Sequence, residues 1–420
     1  MIAKSRKLSP FEKVFFSTHE CIQFAVETEK KSAIPLIISN LKESILGLNY
    51  KIEGDTLYYD EKEINVHKLP NEIRTCRDAC SYMDQKMHID FTDSLAYLAA
   101  NDHIISVNIS HMICDGGFFV DLHKRLLDEN NNTSYYNPTS RYMTYSISEL
   151  FPNELKKYGT PEVKKNLHDH EDFVPFLHHS KVLDPLTEEN PKCISHIYET
   201  PAEEFQFMKN KMNLSDMYWT MIPLNFYAFQ NSLQDNFGIY SCVDFRRFLP
   251  QSQISRLINL CFTEYGIGFN GVTPKMTIRE VGKLFRQDFT RSLADGRCFA
   301  ALANDDIIPS TETKTAYAEI SNIGRFTLKK PLVDLFIQQT MKSKCVEGLF
   351  CSSSFSRNCH GKEIICTRFQ QAPTAFNYED TRIISKSVVE SMKHIHPDST
   401  IQEAYDEIRK FQSKIRSHKL

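Results

Sequence analysis

No stretch of the 420-residue chain approaches the run of about 20 apolar residues that a membrane-spanning helix needs. The first ten residues, MIAKSRKLSP, are basic but lack the apolar core of a secretory signal. Charge of one sign is not in excess either. Lys+Arg total 50 and Asp+Glu total 53, interspersed, for a net charge of −3. That argues against a nucleic-acid partner and against an anionic membrane surface. The 12 cysteines include no CxxC pair, and Cys114, Cys242, Cys261 and Cys366 sit inside apolar segments. A disulfide framework is therefore excluded, and reduced, mostly buried thiols in a reducing compartment are expected. Short repeats and low-complexity tracts are absent. These absences point to the cytoplasm. The last three residues, His418-Lys419-Leu420, loosely resemble a peroxisomal address with His in place of the small first residue, which makes the peroxisome the alternative.

What is present fits a globular protein: 41% hydrophobic and 25% charged residues. A chain this long exceeds one ordinary core, so two domains are expected, residues 1–180 and 181–420. Between them, residues 135–192 accumulate Asn, Pro, His and charge (Pro161, Pro175, Pro185, Pro191). Periodicity fades there after a short helix near 148–157, as in an inter-domain crossover.

Ser9-Pro10-Phe11-Glu12 has the form of a capping box with proline at the first helical position. A second amphipathic helix covers 31–46. Residues 94–100 and 104–110 read as a hairpin around Asn101-Asp102, with Ile105, Val107 and Ile109 alternating with Ser106, Asn108 and Ser110. The second strand runs into His111-Met112-Ile113-Cys114-Asp115-Gly116-Gly117. A helix follows, with Phe118, Leu122 and Leu126 at helical spacing. In the second half a strand is expected at 194–199, a helix at 202–212, a long helix at 215–233 and a strand at 237–245. Thr277-Ile278-Arg279-Glu280 opens a helix through Leu293. A strand at 316–321 is broken by Asn322-Ile323-Gly324. Residues 349–355 and 362–369 pair around Cys359-His360-Gly361, and Ser399-Thr400-Ile401-Gln402 caps a C-terminal helix.

His111, Asp115 and Gly116 form an HxxxDG pattern. A histidine near an aspartate is usually a satisfied loop residue. Here a strand enters the pattern, two glycines follow and a helix leaves it, so His111 sits on a tight turn at a strand end, where sites are often built. Acyl transfer from a thioester needs a base to remove the acceptor's proton, and imidazole is suited to that near neutral pH. The leaving thiolate is already good, so no covalent enzyme intermediate is required. Asp115, four residues on in a tight loop, need not touch the histidine as a triad aspartate does. Buried there, its carboxylate needs a cation. Gly116 lets the chain turn without a Cβ clash.

With these residues the sequence resembles the superfamily of chloramphenicol acetyltransferase-like, CoA-dependent acyltransferases. That superfamily includes stand-alone alcohol O-acyltransferases, polyketide-associated acyltransferases, plant enzymes with an HxxxD motif and the condensation domains of peptide synthetases. Besides the motif, Val243-Asp244-Phe245-Arg246-Arg247-Phe248-Leu249-Pro250 is similar to the family's VDLRxxL strand end, and Ser321-Asn322-Ile323-Gly324 stands where the family has an SNWG or DFGWG turn. Leu8-Ser9-Pro10-Phe11-Glu12-Lys13 is similar to the usual N-terminus. The resemblance spans nearly the whole chain. It implies an α/β fold of two halves with mixed β-sheets, related by a pseudo-two-fold, with a tunnel between them and the histidine near its middle. It also implies that Arg246 pairs with Asp115. Asn322 is a candidate oxyanion donor and, with Gly324, a turn residue, the structural role being favoured.

Two departures narrow the reading. Ser110 replaces the first histidine of condensation domains, and no carrier-protein domain accompanies the chain, which favours free CoA thioesters. Ile323 replaces the usual tryptophan. The implied reaction moves an acyl group, acetyl by expectation, from a CoA thioester to a hydroxyl or amine of a small apolar acceptor. Acyl-CoA is then a co-substrate, with no bound cofactor, no metal, and a monomeric protein. The rivals are a condensation-type enzyme using carrier-bound thioesters in trans and a binding protein that keeps the fold without catalysis. Other groupings read as structural. His168-Asp169-His170 with His178-His179 lie in a polar, Pro-punctuated linker. Cys345, Cys351, Cys359 and His360 have spacings unlike known zinc modules. Cys114 is expected in the core. Most of the 29 phenylalanines are also core, with some available to line an apolar acceptor pocket.

Overall fold

Alternation along residues 104–110 suggests a strand with one wet face, but strand Ile104–Ser110 is buried at every position. Its polar face is satisfied internally instead. Ser106 Oγ donates to the Phe24 carbonyl at 3.2 Å, and Asn108 accepts from Gln23 Nε2 at 2.9 Å and donates to the Met87 carbonyl at 2.8 Å. The computed structural model describes residues 4–128, 143–163, 176–178, 193–250, 260–303, 315–341, 349–371 and 376–417.

Ile104–Ser110 lies at the centre of a five-stranded sheet, ordered Leu332–Thr340, Cys21–Thr28, Ile104–Ser110, Ala96–Ala100 and Val66–Lys68. Only the last pair is parallel. The hairpin turn forms as expected, with Asn101 Oδ1 accepting from the N–H groups of His103 and Ile104. Leu332–Thr340 reaches this sheet from late in the chain, Leu335 opposite Val26 and Thr340 opposite Cys21.

The second sheet runs in the order Phe262–Phe269, Phe237–Asp244, Thr315–Phe326, Leu349–Cys359, Lys362–Gln371 and Ile194–Pro201, with Phe176–His178 also pairing with Thr315–Phe326. It is mixed, because Thr315–Phe326 runs parallel to both of its main neighbours. Helix Leu214–Gln230 is buried around almost its whole circumference, beneath helices Tyr378–His394 and Ile401–Ser417. A third, three-stranded sheet joins Ser5–Lys7, Thr56–Tyr59 and Tyr50–Glu53. No helix among the described residues is long and apolar enough to cross a membrane.

Several local expectations shift. The helix expected at 202–212 is a single 3₁₀ turn, Ala202–Glu204, and a short helix, Gln206–Lys209. Phe205 and Phe207 are both buried, and extended backbone at Phe205 brings residues two apart into one core. The break expected at Asn322-Ile323-Gly324 is a β-bulge inside a continuous strand, where pairing with Leu349–Cys359 shifts register. The C-terminal helix is capped by Thr400 with Glu403, one residue later than expected. In the described part of the crossover the expected short helix is two, Ile147–Leu150 and Pro152–Tyr158, split where Pro152 cannot donate. Apart from the strand Phe176–His178, the rest of that segment, the boundary at residue 180 and the C-terminal tripeptide lie outside the described residues.

The two large sheets are pinned by Arg357, on Leu349–Cys359. Its Nε donates to Asp334 Oδ1 on the five-stranded sheet and its Nη2 to Glu199 Oε2 on Ile194–Pro201, each at 2.7 Å. The Arg357 and Asp334 side chains are 3% and 9% exposed, so removing the cation strands a buried carboxylate. Arg357→Ala is expected to lower the unfolding free energy by about 3–5 kcal/mol in a denaturant titration. A loss under about 1 kcal/mol, the range of a surface pair, would show that the pin is dispensable.

Candidate active site

The last residue of strand Ile104–Ser110 hands the chain to a 3₁₀ turn, His111–Ile113. The backbone N–H of His111 donates to the Glu20 carbonyl at 2.9 Å, tying the turn to the segment before strand Cys21–Thr28. His111 Nδ1 lies 2.8 Å from the Cys114 carbonyl. A carbonyl only accepts, so Nδ1 carries the hydrogen and Nε2 keeps its lone pair. The ring is stacked between Phe15 of helix Pro10–Thr18, 4.3 Å between centroids, and Phe262 of the second sheet, 5.5 Å. Two rings from opposite halves thus fix its plane. Cys114 is core, as expected: its thiol donates to the Ser110 carbonyl, and burial pushes its pKa well up.

Asp115 does not orient His111; the Cys114 carbonyl does. Its oxygens take four other bonds. One accepts the Phe118 N–H at 2.8 Å, making Asp115 the N-cap of helix Gly116–Arg125. The other accepts the Cys261 N–H at 2.6 Å. Arg246, in the 3₁₀ turn Phe245–Phe248, supplies the rest, Nη1 at 2.9 Å and Nη2 at 3.1 Å. Both residues of this pair are buried. Burial pulls the Arg246 pKa down, and the carboxylates of Asp115 and Asp244 outweigh it, so the net direction is up. Asp244, which the sequence reading left without a role, holds Arg246 Nη1 at 3.0 Å with its own side chain half exposed.

The glycines serve close approach rather than a turn. Neither Gly116 nor Gly117 has left-handed backbone. A Cβ on Gly116 would sit 2.9 Å from Ile323 Cγ1. One on Gly117 would sit 2.5 Å from Arg246 Nη1 and 2.6 Å from Asp244 Oδ2. Gly324, with φ +117°, does need glycine's freedom, to form the bulge. Asn322 lines the same cavity as Gly116, and its amide donates to Ser215 Oγ at 2.9 Å.

Three cavities run in series past this site. The largest, about 830 Å³, shares Met341, Arg368 and Gln370 with a second of about 230 Å³. The second shares His111, Phe262, Ser321 and Ser353 with a third of about 110 Å³ that reaches Asp115 and Arg246. His111 therefore borders a passage from two sides. The wall of the second cavity is apolar along its helix, at Phe11, Val14 and Phe15. Its sheet wall is not. Cys242 faces Glu264 across one strand pair, and Glu319 faces Cys351 across another. Burial raises the Glu319 carboxyl, which accepts from Cys242 Sγ at 3.3 Å. Glu264 and Glu319 escaped the sequence reading because each is a single charge in a strand. The available signal was an isolated glutamate at an inward register position.

No family model matches the sequence, and no curated protein matches it. Solved structures do match. A mutant starter condensation domain of rhizomide synthetase RzmA, in complex with C8-CoA and Leu-SNAC, aligns with TM-score 0.66 at 9% identity, over 95% of this chain and 96% of that one. The first condensation domain of the calcium-dependent antibiotic synthetase, with a substrate analogue, gives 0.63 at 10% identity, over 96% and 99%. The fold is that of a condensation domain. It is a mixed-sheet α/β fold of two chloramphenicol acetyltransferase-like halves, as the resemblance implied. The epimerization domain from the third module of tyrocidine synthetase B also aligns, at 0.57 and 11% identity over 97% and 99%, so the condensation-domain fold by itself does not select a reaction.

The bonding around Arg246 orders two substitutions. Asp115→Ala removes the helix cap, the acceptor for Cys261 N–H and the buried partner of Arg246, and is expected to cost about 3–5 kcal/mol. Asp244→Ala removes a half-exposed partner and should cost about 1 kcal/mol or less. Thermal denaturation of both variants checks the ranking, and equal melting temperatures would contradict it.

Proposed function

We propose that the chain is an acyltransferase in which His111 Nε2 takes the proton of an acceptor hydroxyl or amine as that group attacks the carbonyl carbon of a CoA thioester. The tetrahedral intermediate collapses with cleavage of the C–S bond, and the proton held by His111 passes to the departing thiolate. The observation that carries this reading is the bonding of His111. Its Nδ1–H is committed to the Cys114 carbonyl, its ring is clamped by two phenylalanines, and the residue borders two cavities at once. Donor and acceptor then approach from opposite sides of the imidazole. Asp115, Arg246, Gly116 and Gly117 position the turn without touching reactants. Acyl-CoA is a co-substrate, and the chemistry assigned to His111 needs no metal.

A condensation-type reading with carrier-bound thioesters draws support from the synthetase domains that share the fold. Ser110, in place of the first histidine, favours the free CoA thioester.

Thiol release from a panel of acyl-CoAs with mixed alcohols and amines tests the proposal. Release is expected to need an acceptor and to fall by at least about 10²-fold in His111→Ala, with unchanged unfolding. Release only from carrier-bound thioesters would favour the second reading. Binding without release from either donor would mean that the fold serves as a binding protein.

A further inference from the structure

The passage toward His111 narrows past a guanidinium that makes no ion pair among the described residues. Arg368, on strand Lys362–Gln371, is 8% exposed and lines both the cavity of about 830 Å³ and the cavity that holds His111. Its Nε donates to Ser195 Oγ at 3.1 Å and its Nη1 to the Gln339 carbonyl, both neutral. Among the described residues no carboxylate pairs with it. Asp84, on the larger cavity, accepts from Thr340 Oγ1 at 2.7 Å, and Glu20, on the smaller, accepts from Gln339 Nε2 at 3.1 Å.

The other buried arginines of the two-sheet core behave differently, since Arg246 and Arg357 each hold two carboxylates. Burial pulls the Arg368 pKa down to about 10, while theirs are raised. At neutral pH Arg368 is still charged, and the attraction of Asp84, which makes no ion pair with it, does not make up for its desolvation.

We propose that Arg368 binds a carboxylate carried by the acyl group or by the acceptor, and so determines which substrate is presented to His111. This rests on the acyltransferase reading of the same site. Position favours a group on the reacting substrate over the phosphates of CoA. Arg368 pairs with Ser353 and Ser353 with Ser321, and those two serines line both cavities at His111. Adjacent strands are about 4.8 Å apart, so an anion on Arg368 lies within a few carbon atoms of the reacting carbonyl. The phosphates of CoA are a whole pantetheine arm further from it. Gln370, beside Arg368 on both cavities, offers amide hydrogens to the same ligand.

Two pairs of probes differ only by a carboxylate in place of a methyl group: succinyl-CoA against butyryl-CoA, and β-alanine against 1-aminopropane. Calorimetric binding of all four to the full chain and to Arg368→Met needs no turnover. In one pair the carboxylate member is expected to bind about tenfold tighter or better, with the preference lost in Arg368→Met. Preference in the CoA pair assigns the carboxylate to the acyl group, and preference in the amine pair assigns it to the acceptor. Equal binding within both pairs, or a preference that survives Arg368→Met, overturns the proposal. Melting provides a control that does not depend on ligand. Arg368→Met should melt at or above the wild-type temperature, because an unpaired buried charge is removed. A clear fall would make Arg368 a structural residue and overturn the proposal as well. Thiol release is scored separately, so an inactive protein that keeps the binding preference would sink the acyltransferase reading and not this one.

Discussion

The pair between Asp115 and Arg246 joins residues 131 positions apart, and the site depends on it. Asp115 follows the His111 turn by one residue and starts the next helix, so whatever holds its carboxylate also holds the turn. Arg246 and the Cys261 N–H come from the other half. Together they tie the turn to elements of the second sheet, beside the cavities that His111 borders. Gly117 belongs to the same constraint, because any Cβ there would enter the volume of Arg246 and Asp244.

Charge inside the molecule divides by purpose. Arg246 and Arg357 are each bonded to two carboxylates and span elements distant in sequence, as structural pins must when they are buried. Arg368 and Glu319 are also buried but face a cavity, and among the described residues their side chains hydrogen-bond neutral groups. A fold has little reason to keep a desolvated charge without a counter-ion unless a ligand supplies one. The same contrast separates Asp115, whose oxygens are all bonded within the protein, from His111, which bonds the protein through Nδ1 and borders two cavities.

The candidate turn was legible in sequence because it is local. Strand, histidine, aspartate, two glycines and helix follow one another within about twenty residues, each with its own propensity. The capping boxes at Ser9 and Thr277 formed as read for the same reason. The Asp115–Arg246 pair was reached only through family resemblance, since nothing in spacing brings residues so far apart together. Misreadings came where tertiary packing overrode local pattern. Ser321-Asn322-Ile323-Gly324 looks like a turn, yet pairing with Leu349–Cys359 keeps it in the sheet as a bulge. Phe205 and Phe207 suit a helix until both must enter one core.

By itself the sequence determined the order of the main elements and the candidate base, which rest on periodicity, capping and a short motif, and through family resemblance it implied the class of fold. Only the tertiary structure decided which nitrogen of His111 is bare, what Asp115 actually holds, and which charges line the passage. Those properties depend on side chains from strands far apart in sequence meeting on one face. The glutamates at 264 and 319 and the arginine at 368 are ordinary strand residues until sheet register turns them toward the same cavity.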